Sequence, residues 1–251
     1  MRIAVTGKGG AGKSMISGAL ARQFANQGHK VVAVDADPNP NLGVSLGLAT
    51  ATVESMKPIL NALIELGHTH DDPTPAAEDL LERYGVEATH GVTLVATGKI
   101  ERPTDACLCC GSHNTTRQFF ADLAAEDRIV VADLEAGLND LIWLRPRSDD
   151  VVLAVAETSA KSVEIARRAV QLAREMGVVR VIGVVNRAGT AGAADIVADQ
   201  LGVAEVAVIP DDPAIEAADH LGVAPIDADP SSPAMVAVRA LATRLAEPAV
   251  L

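Results

Sequence analysis

Apolar residues fall into short, Val-rich runs separated by longer stretches in which they recur every three or four positions. The runs at 2–6, 30–34, 93–97, 129–132, 151–155, 179–185 and 206–209 are of strand length. They are apolar at consecutive positions, as expected of strands buried on both faces of a parallel sheet. Segments 13–26, 162–176, 191–201 and 234–245 carry the helical spacing instead. In 162–176, Ile165, Ala169, Leu172, Ala173 and Met176 form one stripe, while Arg167, Arg168, Arg174 and Glu175 lie off it. Gly177 then closes that helix. The alternation predicts an α/β fold, a doubly wound and mostly parallel sheet with helices on both faces. Residues 67–76 (GHTHDDPTPA) read as a loop-like insertion, since strand–helix units continue on both sides. Residues 1–251 accordingly read as a single domain.

Composition narrows the functions available. Of 251 residues, 49% are hydrophobic but only 2% aromatic, so the core must be built from Ala, Val, Leu and Ile. One Trp and one Tyr give no stacking platform for single-stranded nucleic acid. A formal charge of −12 argues against a broad DNA-binding face or a polybasic membrane anchor. No apolar run reaches the ~18 residues of a membrane span, and the first residues lack a secretory layout. The expectation is a cytoplasmic protein with no integral membrane segment and no nucleic-acid partner.

The chemistry begins at residues 7–14, which read GKGGAGKS. They satisfy G-x-x-x-x-G-K-[ST] between a predicted strand and a predicted helix, the context a phosphate-binding loop requires. Its glycines let successive amides turn toward phosphate oxygens, and the helix terminus adds partial positive charge. The binding set is Gly7, Gly9, Gly10, Ala11, Gly12, Lys13, Ser14 and Met15, with ATP or ADP as ligand. Lys13 is expected to reach the β- and γ-phosphates, and the Ser14 hydroxyl to sit on Mg²⁺.

Two further strand ends carry carboxylates, placed where a parallel sheet opens its ligand crevice. Residues 34–42 read VDADPNPNL, with Asp35 and Asp37. Residues 129–137 read IVVADLEAG, with Asp133 placed to hold Mg²⁺ and the Gly137 amide placed to sense the γ-phosphate.

A Lys at the second loop position, Lys8 in K-G-G-x-G-K-[ST], resembles the deviant phosphate loop of the MinD/ParA/nitrogenase-iron-protein ATPases. That resemblance implies a homodimer in which Lys8 crosses to the partner's nucleotide. It also implies that Asp37 positions or activates the attacking water and that Asn186 bonds the adenine edge, while Asp35 reads as structural or as an outer support of Mg²⁺. Pro210 and Asp211 would line the base.

The cysteines are the least ordinary feature. All three fall within four positions, Cys107, Cys109 and Cys110, a pattern of metal or redox chemistry rather than of a disulfide framework. Residues 97–117 (TGKIERPTDACLCCGSHNTTR) resemble the CooC-type accessory ATPases that serve nickel insertion into carbon-monoxide dehydrogenase. The implied function is that of a metallochaperone in metal-centre maturation, with that enzyme or a related metalloenzyme as client. Residues i and i+2 of an extended segment face the same side, so Cys107 and Cys109 can share one ion. Two thiolates are too few for a closed soft-metal site, but a two-fold dimer doubles them to four, suited to Zn²⁺ or Ni²⁺. Cys110 stands where the subgroup has Pro, and Gly111-Ser112-His113 follows. A third thiol or His113 as ligand, another metal, or a disulfide remain open. His68-x-His70 beside Asp71 and Asp72 reads as a solvated turn.

Two other readings stand beside this one. A partition or septum-site positioning ATPase is disfavoured by the acidic charge and by residues 234–251, which lack the Phe or Trp of an interfacial anchor. An iron–sulfur electron-transfer or scaffold ATPase is disfavoured by the crowding of all three cysteines into one cluster.

Overall fold

The computed structural model describes residues 1–69, 72–100, 112–123, 127–138, 141, 145–189 and 192–247. In chain order the elements are β1 (Arg2–Gly7), α1 (Lys13–Asn26), β2 (Val31–Asp35), α2 (Leu42–Ser45), α3 (Thr50–Ser55), α4 (Ile59–Glu65), α5 (Ala77–Tyr84), β3 (Val86–Glu87) and β4 (Val92–Ala96). There follow α6 (Ser112–Leu123), β5 (Ile129–Asp133), β6 (Val151–Ala156), α7 (Ala160–Glu175), β7 (Arg180–Ala188), α8 (Ala193–Leu201), β8 (Glu205–Pro210), α9 (Pro213–Leu221), α10 (Pro225–Ala228) and α11 (Pro233–Ala246).

The described residues form one eight-stranded sheet in the order β3-β4-β2-β5-β1-β6-β7-β8. Every pairing is parallel except the short β3 hairpinned on β4. This is the α/β doubly wound sheet that the apolar runs predict. β1 sits between β5 and β6, so the loops leaving β1, β2 and β5 open side by side at one edge of the sheet.

Alternation along the strands divides the core into two layers. Ile3, Val5, Val31, Ala33 and Val131 face one layer, packed against Ile16, Leu20 and Phe24 of α1 and Met235, Val238 and Leu241 of α11. Ala4, Val32, Val34, Val130 and Ala132 face the other, against Phe119 and Phe120 of α6 and Ala166, Ala169 and Val170 of α7. Two of the three Phe residues lie side by side here, with ring centroids 6.2 Å apart. The small Ala and Val side chains elsewhere let the helices lie close to the sheet.

The structure departs from the sequence expectation in places. Residues 42–84 hold four short helices, none of them among the predicted helical segments, and helix α5 follows directly on the loop-like stretch. Strand β7 runs on to Ala188, with an irregularity against β8 between Val185 and Ala188. Among the described residues, no helix is long and apolar enough to cross a membrane.

Candidate functional site

The loop between β1 and α1 is held in shape by contacts that only glycine permits. A Cβ on Gly7 would lie 2.4 Å from the Val155 carbonyl oxygen of β6. Gly12 has φ 94° and ψ 19°, and a Cβ there would lie 2.2 Å from Asn186 Nδ2. The Ala11 amide donates to Lys8 O at 3.1 Å, which closes the loop on itself. Helix α1 has no side-chain cap, and its first bond runs from Ile16 N to Gly12 O at 3.1 Å. The amides of Lys13, Ser14 and Met15 precede that bond and lack intrahelical partners, which leaves them for an anion. Gly9 and Gly10 are exposed at the rim, and Gly10 is left-handed.

Three acidic groups converge beside this terminus. In the sheet Asp133 lies level with Val5 on one side and with Asp35 on the other. Asp35 and Asp133 are both buried, 1% and 2% exposed. Burial, then the neighbouring Asp133 charge, pushes the Asp35 carboxyl up to about 7, against the pull of the Leu42 and Asp37 amides. Burial likewise pushes Asp133 up to about 6, opposed by hydrogen bonds from Ser14 and Ser17 and by the Lys13 charge. Asp37 is half-buried and adds repulsion to both.

Two buried carboxylates crowded beside a hydroxyl fit a hard divalent cation. Among the described residues, no three His, Cys, Asp or Glu side chains group to hold a metal. Mg²⁺ does not ask for such a cage, since it takes one or two protein groups and fills its shell from water and phosphate.

The expected residues fall as follows. Lys13 is buried, and its charge opposes the burial that raises the Asp133 and Glu135 carboxyls. Lys8 folds back onto Gly9 O at 3.3 Å. Asp37 Oδ1 accepts the Asn39 amide at 2.8 Å, a local turn that holds the loop after β2. Asp35 Oδ1 and Oδ2 accept the amides of Asp37 (3.2 Å) and Leu42 (2.8 Å). Asp35 thus braces the loop that carries Asp37.

Three expected ligand contacts are engaged otherwise in this structure. The Gly137 amide donates to Gly7 O at 3.3 Å, and Thr6 Oγ1 donates to Gly137 O at 3.0 Å. The loop after β5 is therefore fastened to β1, and γ-phosphate sensing requires that the amide let go of Gly7. Asn186 Nδ2 donates to Ala11 O at 2.8 Å and so clamps the phosphate loop. Asp211 is exposed, with its amide on Ala188 O at 3.3 Å beside a half-buried Pro210. It is Asp212 that is buried, capping α9 through Ala214 N and accepting Ala234 N.

Two functional candidates escape sequence reasoning. Arg187 has φ 54°, rare for a side-chain-bearing residue, and its Nη1 reaches Gly10 O (3.3 Å) and Glu157 Oε1 (2.6 Å). It lies with Asn186 in the irregular turn of β7, where such irregularities re-aim side chains. Ser17 is fully buried and donates to Asp133 Oδ1 at 3.3 Å. Cys107, Cys109 and Cys110, and likewise His70 and Asp71, lie outside the described residues, as does the side chain of His113.

The sequence matches the CobQ/CobB/MinD/ParA nucleotide binding domain over residues 3–222. An ATP-binding protein of Methanocaldococcus jannaschii is 31% identical over 227 residues, 86% of this chain and 87% of that protein. The carbon monoxide dehydrogenase accessory protein CooC of Rhodospirillum rubrum is 29% identical over 229 residues, 87% of this chain and 86% of the relative. The septum site-determining protein MinD of Pyrococcus horikoshii OT3, solved with Mg-ADP, shares the fold. Its TM-score is 0.75 at 18% identity, over 98% of this chain and 96% of its own.

Proposed function

The chain belongs to the CobQ/CobB/MinD/ParA family of P-loop ATPases, and from that premise we propose that it couples ATP-dependent dimerisation to carrying a thiolate-bound metal ion for a metalloenzyme under assembly. The observation that carries the ATPase chemistry is the convergence of the uncapped α1 terminus, Lys13 and the Asp35–Asp133 pair at one edge of the sheet.

The loop amides and Lys13 hold the β- and γ-phosphates and meet the charge that develops as the γ-phosphoryl group departs. Asp37, anchored through Asp35, orients the attacking water and takes its proton. The Ser14 hydroxyl and Asp133 would hold Mg²⁺, which would supply charge neutralisation on the phosphates. Asn186 and Arg187 keep the Ala11 and Gly10 carbonyls turned away from the phosphates. Release of the Gly137 amide from Gly7 O frees the loop after β5 to answer the γ-phosphate.

Lys8, folded on its own loop here, swings across a two-fold axis to the partner's phosphates in the ATP-bound homodimer. The same axis brings Cys107 and Cys109 of both chains together around one Zn²⁺ or Ni²⁺. The likeness to CooC over most of both chains, together with C-x-C in a chain with three cysteines, supports this cargo. The client is carbon-monoxide dehydrogenase or a related metalloenzyme, and the setting is cytoplasmic, with residues 1–251 acting as one ATPase domain. Sedimentation velocity with Mg²⁺ and a slowly hydrolysed ATP analogue tests the dimer. Wild type should double its mass, and Lys8→Ala should bind the analogue yet remain largely monomeric. Equal dimerisation of both, or no mass change in either, would overturn the reading.

A further inference from the structure

We propose that Ser17 is a positioning residue for Asp133, fixing the rotation of that carboxylate when Ser14 is drawn to the cation. This rests on the reading of Asp133 as the carboxylate that supports Mg²⁺.

Ser14 and Ser17 stand three positions apart on α1, so their side chains share one helix face. Both lie against Asp133 in this structure: Ser14 holds its pKa down, and Ser17 Oγ donates to Oδ1 at 3.3 Å. Their fates diverge once nucleotide arrives. Ser14 is half-buried at the mouth of the site and is the hydroxyl of the phosphate loop, so it leaves Asp133 for the metal. Ser17 is fully buried one turn further in and cannot follow. It is then the α1 hydroxyl still holding the Asp133 carboxylate.

The position argues against a merely tolerated serine. A hydroxyl inside a helix usually bonds back to the carbonyl four residues earlier, here Lys13. Ser17 instead donates to a residue 116 positions away in sequence, on the strand beneath. The next positions on that face of α1 are the buried Leu20 and Ala21, so packing alone would accept alanine. A buried hydroxyl costs stability unless bonded, and the Ser17 hydroxyl bonds Asp133. Outer partners that orient a carboxylate typically alter metal affinity about 10–100-fold when removed, and the 3.3 Å length places Ser17 near the lower figure.

The readout is the Mg²⁺-dependent gain in ADP affinity, obtained by calorimetry in EDTA and in excess Mg²⁺. For Ser17→Ala, ADP affinity in EDTA should match wild type, while the gain on adding Mg²⁺ falls about tenfold. Ser17→Thr, which keeps the hydroxyl, should retain the gain. Asp133→Asn should abolish it. A wild-type gain in Ser17→Ala alongside its loss in Asp133→Asn would overturn the role of Ser17 while leaving that of Asp133 intact. Equal losses in Ser17→Ala and Ser17→Thr would show a packing effect and also overturn it. An undiminished gain in Asp133→Asn would remove the cation reading itself, and this inference with it.

Discussion

Replacing Gly12 by alanine tests the contact that fixes the phosphate loop. The left-handed backbone at φ 94° costs an alanine about 1–2 kcal/mol. The new methyl would also sit 2.2 Å from Asn186 Nδ2. Asn186 is 2% exposed and cannot swing into water, so it must give up its 2.8 Å bond to Ala11 O. Leaving that buried carbonyl without a donor costs a further ~1–3 kcal/mol. Gly12→Ala should therefore destabilise the nucleotide-free protein by about 2–5 kcal/mol, the sum of both effects. In an Asn186→Ala background the bond is already absent and the space is free, so the same substitution should cost only the backbone strain. Urea unfolding of the four proteins in EDTA gives the cycle, and the double variant should be more stable than additivity predicts by about 1–3 kcal/mol. Additivity within about 0.5 kcal/mol would refute the clamp between β7 and the loop.

Other expectations follow from the same site. Lys13→Ala should abolish ATP turnover in a phosphate-release assay, because it removes the positive charge that faces the transferred group. Asp37→Ala should bind ATP with near wild-type affinity by calorimetry yet turn over at least ~100-fold more slowly. With Asp35 raised to about 7 and Asp133 to about 6 from an ordinary value of 3.8, the folded protein holds protons that the unfolded chain has released. Their stabilising contribution is present in acid and lost as pH rises through that window. The nucleotide-free melting temperature should thus fall more steeply from about pH 5 to 7 in wild type than in Asp35→Asn. Mg²⁺-ADP affinity should rise over the same range, since the cation takes the ionised carboxylate.

The parts legible in the sequence were those with short-range causes. Consecutive apolar residues in β1, β2, β5 and β6 marked strands buried on both faces, and the glycine spacing at 7–14 marked the loop. The short helices between Leu42 and Tyr84 were hidden because four to eight residues are too few to show a helical period. Asn186 was legible as a candidate site residue, but its bond to Ala11 O was not, because it depends on the irregularity between Val185 and Ala188. The same irregularity puts Arg187 over Gly10, a long-range outcome with no local signature. Ser17 was obscured by Ser14, whose motif assignment accounts for a hydroxyl on that face without asking for a second. The bond of Gly137 to Gly7 depends on how β5 and β1 close, which spacing does not encode.

The central claim is that nucleotide-driven pairing builds a metal site from two chains. Its most direct test is an anaerobic Zn²⁺ and Ni²⁺ titration of the Asp37→Ala protein saturated with Mg²⁺-ATP, with the mass of the complex followed in parallel. One ion per two chains is expected, on a species of dimer mass, with affinity lost by orders of magnitude in Cys107→Ala and Cys109→Ala and much less affected in Cys110→Ala. One ion per chain, bound equally well without Cys107, would contradict it.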